Sequence, residues 1–352
     1  MRCQILFEST NKSSINLSEQ YYKTDLDNIV KQRENIKKLQ KFNLYPKEFD
    51  FPLLLQFELT SKCNVHCKHC YNNSGITKND TMTPEKWKDF CKYVVSKGGI
   101  FECIISGGEP LLLKEDLFEI MDILHADGTF FLLITNGYLL TQDIVNRLAK
   151  YRYKWIQISI DGSTAKYHDE FRQKEGSWDR AVKGAMMVSG AGLPLTIAHS
   201  VSKYNLHQID DMCDLAYSLG AGSIIIGEIS LSGRTYENKD LILNDSDHEL
   251  FLKKVEYNYK KYSGKMFIQR SMNDNLQYEK SKDIPAGGLI IRPNGDIRLD
   301  CMVPFKLGNI LKEDFAQLWM KKRNKCWQYP EIKDYFENNN IRNYVDNDVL
   351  LK

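Results

Sequence analysis

Three cysteines and two histidines fall within one octapeptide, Cys63-Asn64-Val65-His66-Cys67-Lys68-His69-Cys70. Thiols at C-x3-C-x2-C spacing suit three chemistries. Three thiolates can ligate three irons of an iron–sulfur cubane and leave the fourth iron open to a ligand. They can form a zinc site, which normally takes four protein ligands and would be completed here by His66 or His69. They can also simply pack, since buried cysteine behaves as a small hydrophobe. A second candidate constellation lies downstream in SGGEPLLL (106–113). There Gly107 and Gly108 allow a small anionic or zwitterionic ligand to meet the backbone, and Glu109 offers a negative charge to a cation.

Both motifs follow strand-like segments. FPLLLQFEL (51–59) runs straight into the cysteine loop, and FECIIS precedes the Gly-Gly-Glu turn. Between them, Thr83-Pro84 supplies an N-cap and a first-turn proline for a helix whose Trp87, Phe90, Cys91, Val94 and Val95 recur at helical spacing. Strands FFLLIT (130–135), WIQISI (155–160), LPLTIAHSV (193–201) and GSIIIGEIS (222–230) then alternate with helices at 143–151, 179–188 and 210–219. Continuous apolar runs alternating with amphipathic helices predict a parallel sheet of at least six βα units, with its chemistry on the loops after the strand C-termini. Beyond it, SDHE (246–249) resembles a capping box opening a helix to about Tyr262, and MFIQR follows. Pro-Asn-Gly inside AGGLIIRPNGDIRLD marks a hairpin. Residues 1–50 contain a strand-like CQILFES and a charged helix around 27–42.

Composition narrows the setting. The chain has 352 residues, 42% hydrophobic and 27% charged, with a formal net charge of +2, which gives no long-range pull toward nucleic acid or an anionic membrane surface. No segment approaches the roughly 20 apolar residues of a membrane span, and the stretch MRCQILFESTNKSS has no apolar run of the length a signal peptide needs. Nine cysteines, three of them clustered, suit a reducing compartment and metal chemistry. A cytoplasmic protein is the expectation.

With both motifs in this order, residues 51 to 240 resemble the radical S-adenosylmethionine (SAM) enzymes, His69 standing at the aromatic position of the C-x3-C-x-aromatic-C pattern. The resemblance implies an oxidoreductase-type enzyme built on a partial (β/α)6 TIM-like barrel. It carries one [4Fe-4S] cluster on Cys63, Cys67 and Cys70, and SAM is cleaved by an electron from that cluster to a 5′-deoxyadenosyl radical. It places His69, Gly107, Gly108, Glu109 and Asn136 at the cofactor, with Glu109 meeting the methionine ammonium. ISIDGSTAKYHDEFRQKEGSWDRAVKG (158–184) is similar to the S-x-D-G…H-D-x-x-R segment of the SPASM/Twitch peptide-modifying branch. By that likeness Ser159 and Arg172 hold the cofactor carboxylate, and the Gly-Arg of ISLSGRT puts Arg234 near the site, with a loop-capping role as its alternative. An external electron donor of flavodoxin or ferredoxin type is implied as well.

The C-terminal region keeps the hairpin, Leu-Gly-Asn-Ile and a tryptophan helix of that branch but not its cysteines. Asp300 stands where the hairpin cysteine belongs, and only Cys301 and Cys326 remain. Two thiolates are too few for a further cluster, so residues 281–352 form a degenerate, small α+β SPASM/Twitch-like extension kept for its shape. The expected division is 1–50 for peptide docking, 51–280 for the barrel and 281–352 for this extension. Cys103, on the strand before the Gly-Gly-Glu turn, is the candidate hydrogen-atom donor to a substrate radical. The resemblance implies action on a peptide of ribosomal origin, by crosslinking, epimerisation or a related change. A small-molecule or nucleotide-sugar substrate is the first alternative, and a catalytically idle peptide-binding relative the second.

Overall fold

The computed structural model describes residues 17–75, 80–272, 274–282, 287–301, 303–322, 326–337 and 349–351. The strand expected at CQILFES lies outside them. The chain opens with α1 (Leu17–Lys41), then runs β1 (Leu54–Glu58), α2 (Pro84–Ser96), β2 (Glu102–Ser106), α3 (Glu115–Ala126), β3 (Phe130–Thr135), α4 (Gln142–Leu148) and β4 (Tyr153–Ser159). It continues through α5 (Ala165–Arg172), α6 (Ser177–Gly190), β5 (Leu195–Val201), α7 (Ile209–Ser218), β6 (Ser223–Glu228), α8 (Asp245–Lys261), β7 (Phe267–Arg270) and α9 (Asp274–Ser281). Last come β8 (Gly288–Ile291), β9 (Asp296–Arg298), β10 (Phe305–Asn309), α10 (Phe315–Lys322), α11 (Pro330–Glu337) and β11 (Val349–Leu350).

One sheet of eleven strands has the order β11-β10-β9-β8-β1-β2-β3-β4-β5-β6-β7. Strands β1 to β7 are parallel neighbours in sequence order, which is the expected partial barrel, and the sheet does not close on itself. Side chains alternate across each strand. Leu55, Phe57, Ile105, Phe131, Leu133, Ile156, Ile158, Ile197 and Ile224 are fully buried in the core shared with the helices, where Phe57 meets Trp87 of α2 with ring centroids 5.1 Å apart. Gln56, Glu58, Ile104 and Ser159 lie on the opposite, lumen face. That parity corrects the reading of Cys103. Its register partner is Leu55, and its neighbouring thiol is Cys91 of α2, so it packs in the helix layer and faces away from the lumen. A hydrogen-atom donor needs the lumen face.

The sheet also runs across the boundary expected near residue 280. Strand β8 pairs in parallel with β1, Leu54 opposite Gly288, and the β8–β9 hairpin turns at Gly295, whose φ of +83° suits the Pro-Asn-Gly signal. Helix α1 packs on α8 and α9, with an Arg33–Glu279 ion pair to α9 and an Asp25–Arg270 ion pair to β7. The cap of α8 sits earlier than SDHE suggests: Asn244 accepts from Asp247 N at 2.9 Å, and Asp247 accepts from Asn244 N at 3.1 Å. Ser246 and Asn244 are both good capping residues, and Asn244 takes the role. Cap and proline start α2 as expected, Thr83 accepting from Lys86 N.

Candidate functional site

The cysteine loop leaves the C-terminal end of β1. Asp80 ties its base, accepting from Thr60 Oγ1 at 2.6 Å and from the Ser61 amide and hydroxyl. Farther along, His66 N and Lys68 N donate to the carbonyls of Arg172 and Phe171 at the end of α5, at 3.2 and 3.0 Å. Arg234 clamps the other side. Its Nε donates to Cys67 O at 2.7 Å and its Nη1 to Ser74 O at 2.7 Å, while its amide donates to Cys70 O at 3.0 Å. A Cβ on Gly233 would lie 2.2 Å from Cys70 O, so only glycine lets the two segments approach. Arg234 is therefore a positioning residue of the loop, with its guanidinium turned to protein carbonyls.

Cys67 is buried, and Cys63 and Cys70 are half-buried. Burial pushes the Cys63 thiol up to about 11 and the Cys67 thiol up to about 12, and Cys70 as a thiolate pushes both the same way. Burial holds the Cys63 and Cys67 thiols neutral, and a thiol becomes a ligand when a cation takes the place of its proton. Two donors already face the sulfurs: Asn136 Nδ2 lies 3.8 Å from Cys63 Sγ, and Ser74 N lies 3.4 Å from Cys70 Sγ. Among the described residues no three His, Cys, Asp or Glu side chains converge on one metal position. A Cys3His zinc site finds no fourth ligand, because His66 is exposed and His69 is committed elsewhere. The His69 ring stacks on Phe171 with centroids 4.4 Å apart, and its Nε2 lies 3.5 Å from Asp161 Oδ2. Three thiols on one loop, without a fourth, fit a cubane better than a single ion.

The Gly-Gly-Glu turn packs directly on this loop. Gly108 N donates to Thr60 O at 2.6 Å, and Glu109 N donates to Lys62 O at 2.9 Å. A Cβ on Gly108 would sit 2.0 Å from Lys62 O, and one on Gly107 would sit 2.7 Å from Thr60 O, so the glycines serve backbone contact between the two turns. Glu109 is fully buried and accepts from Thr135 Oγ1 (2.7 Å), Asn136 N (2.8 Å) and Leu111 N (3.1 Å). Burial raises its pKa against the pull of those donors. Asn136 carries the network on to Asn64 Oδ1 at 2.8 Å. Glu109 and Asn136 thus join the ends of β2 and β3 to the cysteine loop.

Sequence reasoning missed the charge centre behind the loop. Asp161, just past β4, is fully buried and receives Arg172 Nε and Nη2 at 2.8 Å each, with Ser200 N at 2.8 Å on its other oxygen. Although burial alone would raise it, the Arg172 guanidinium holds Asp161 well below the usual carboxylate range. Arg172 therefore spends two donors on Asp161. Ser159, also assigned to the cofactor, is the half-buried last residue of β4. His168 and His199 complete the surround. His168 Nδ1 accepts from Asp161 N at 3.1 Å, and burial depresses His168 to about 3 and His199 to about 4 from the usual 6.5. An unfolded chain takes up protons on these histidines below about pH 6.5, and the folded chain does not until near pH 4. Stability should therefore be full above that range and fall as pH drops through it. The urea midpoint at pH 5 should lie below that at pH 7, and His199→Gln should flatten the dependence; equal midpoints in wild type would refute this burial.

A second missed network joins the C-terminal hairpin to the loop. Glu58, fully buried at the end of β1, accepts from Tyr71 OH at 3.0 Å and from Arg292 Nε at 3.2 Å, and Arg292 Nη2 reaches Asn72 Oδ1 at 2.8 Å. Cys301 lies beside Asp300, Glu58 and Tyr71, whereas Cys326 donates its thiol to Lys322 O at 3.1 Å.

Comparison with known proteins follows the same residues. Residues 57–216 match the Radical SAM superfamily. The antilisterial bacteriocin subtilosin biosynthesis protein AlbA of Bacillus subtilis is 28% identical over 292 residues, 80% of this chain and 62% of that protein. An AdoMet-dependent heme synthase of Methanosarcina barkeri is 36% identical over 203 residues, 57% of each chain, so this chain spans less than two thirds of either relative's length. A PqqA peptide cyclase of Rhizobium meliloti is 26% identical over 299 residues, 80% of this chain and 78% of that one. Among solved structures, Streptococcus suis SuiB bound to S-adenosylmethionine superposes with a TM-score of 0.64 at 18% identity, over 93% of this chain and 75% of that one. SuiB has also been solved with its precursor peptide SuiA. At that identity the likeness is one of fold. The three-cysteine loop set at the mouth of an open parallel barrel lies within residues 57–216, the segment that matches the Radical SAM superfamily.

Proposed function

We propose that this protein is a radical SAM peptide maturase that takes a hydrogen atom from a ribosomally made peptide. The observation that carries it is the loop holding Cys63, Cys67 and Cys70 at the C-terminal end of a parallel sheet, locked by Arg234, α5 and the Glu109–Asn136 bridge. When bound, a [4Fe-4S] cluster supplies the electron that splits SAM into methionine and a 5′-deoxyadenosyl radical. Glu109 offers the negative charge an ammonium needs in a site shielded from water, and Asn136 orients that carboxylate while donating toward Cys63. Arg172 is anchored by Asp161, which leaves the rest of its planar fork to meet a carboxylate beside Ser159. His69 is held flat on Phe171 with its Nε2 toward Asp161. Reduction falls to an external flavodoxin- or ferredoxin-type donor.

The peptide class is supported by AlbA, the PqqA peptide cyclase and SuiB as named relatives or fold neighbours. A small-molecule reading survives on one observation, the 36% identity to the heme synthase. Anaerobic turnover of a fully deuterated precursor peptide encoded beside the gene separates them. Deuterium should appear in 5′-deoxyadenosine, read by mass spectrometry. Deoxyadenosine without deuterium, together with conversion of a tetrapyrrole, would replace the peptide reading.

A further inference from the structure

The lumen holds a cavity of about 270 Å3 between β1, β2, the β8–β9 hairpin and α9. Its wall includes Gln56, Ile104, Gln277, Asp300, Cys301 and Trp327. Gln56 shares a strand face with Glu58 and stands two residues, about 7 Å, deeper along β1. The cavity therefore lies beneath the network that braces the cysteine loop. Gln56 donates Nε2 to Ser106 Oγ at 3.0 Å, which pins it to the wall, and the Cys301 thiol is hydrogen-bonded to Asp300.

Resting on the peptide reading, we infer that this cavity is the subsite for one bulky substrate side chain without negative charge, gripped between Ile104 and Trp327 and screened by Asp300. Size favours a side chain. Sites for drug-sized ligands run to roughly 300–1,000 Å3, so about 270 Å3 takes one large side chain, and a tetrapyrrole or nucleotide sugar overfills it. Charge sets the second constraint. Asp300 is the one formally charged residue among those described in the wall, so an anionic tip would meet a like charge there. Six wall residues, Leu54, Ile104, Leu289, Ile290, Leu299 and Trp327, are apolar and offer an aromatic or long aliphatic body its favourable burial. The Asp-Cys pair at 300–301 thus becomes a selectivity element of the substrate cleft, on the hairpin where the related branch keeps a cluster ligand.

The test is calorimetric titration of the iron-loaded full chain with p-cresol and with 4-methylbenzoate, probes of one shape and different charge. Wild type should bind p-cresol at least tenfold more tightly than 4-methylbenzoate. Ile104→Trp, which fills the cavity, should weaken p-cresol at least tenfold, and Asp300→Asn should bring 4-methylbenzoate to within about threefold of p-cresol. Should Ile104→Trp fail to fold, Trp327→Ala, which removes the opposite wall, must weaken p-cresol by the same factor. Equal binding of the two probes, no binding of p-cresol, or affinities untouched by either wall substitution would overturn the subsite. Iron content and deoxyadenosine release, measured on the same samples, report on the radical reading separately. Their loss with the binding pattern intact would sink that reading and leave the cavity assignment standing.

Discussion

Replacing Cys63, Cys67 and Cys70 together with alanine should reduce iron from about four atoms per chain, the content of one cubane, to almost none. The fold should survive the change. The loop is held by Asp80 at its base, by α5 carbonyls and by the Arg234 clamp, none of which uses a sulfur. Cys301→Ala and Cys326→Ala should leave iron unchanged, because Cys326 spends its thiol on Lys322 O and Cys301 pairs with Asp300. Iron and sulfide analysis of anaerobically reconstituted protein checks all three. Eight irons in wild type, or iron that persists in the triple variant, would show that further ligands exist.

Arg172→Met should cost about 3–5 kcal/mol of stability, since it strands a fully buried carboxylate whose desolvation that guanidinium chiefly offsets. Adding Asp161→Asn should restore much of the loss, because the uncompensated charge is then gone. Urea unfolding of the two single variants and the double variant reads this as a coupling. The same change also loosens the loop, whose His66 and Lys68 amides are bonded at the end of α5. A loss below about 1 kcal/mol, or strictly additive effects, would mean that Asp161 is held by its other neighbours.

The strands and the cysteine loop were legible because their signals are local. Apolar runs such as FFLLIT became β3 at the expected residues, and the cysteine spacing survives whatever packs around it. Helix α3 carried a readable apolar face, Leu117, Phe118, Ile120, Met121 and Leu124, that went unnoticed between two strong strands. The rest depends on contacts that no window contains. Asp161 gathers His69, His168, Arg172 and His199 from three segments, and the Glu58–Arg292 bridge spans 234 residues. Cys103 shows the same limit at short range: which face it takes follows from register with Leu55, which is a property of the pair of strands. Arg234 was found by motif, and of its two readings the loop-capping one matches its bonds to the Cys67 and Ser74 carbonyls.

The most direct measurement is 5′-deoxyadenosine formation by the reconstituted chain under strict anaerobiosis, with dithionite as reductant and SAM present. Wild type should release deoxyadenosine and methionine in equal amounts. Glu109→Gln should keep its iron while losing at least about tenfold in SAM affinity, about 1.4 kcal/mol. Full iron loading with no deoxyadenosine would contradict the account and leave an idle, cluster-bearing relative in its place.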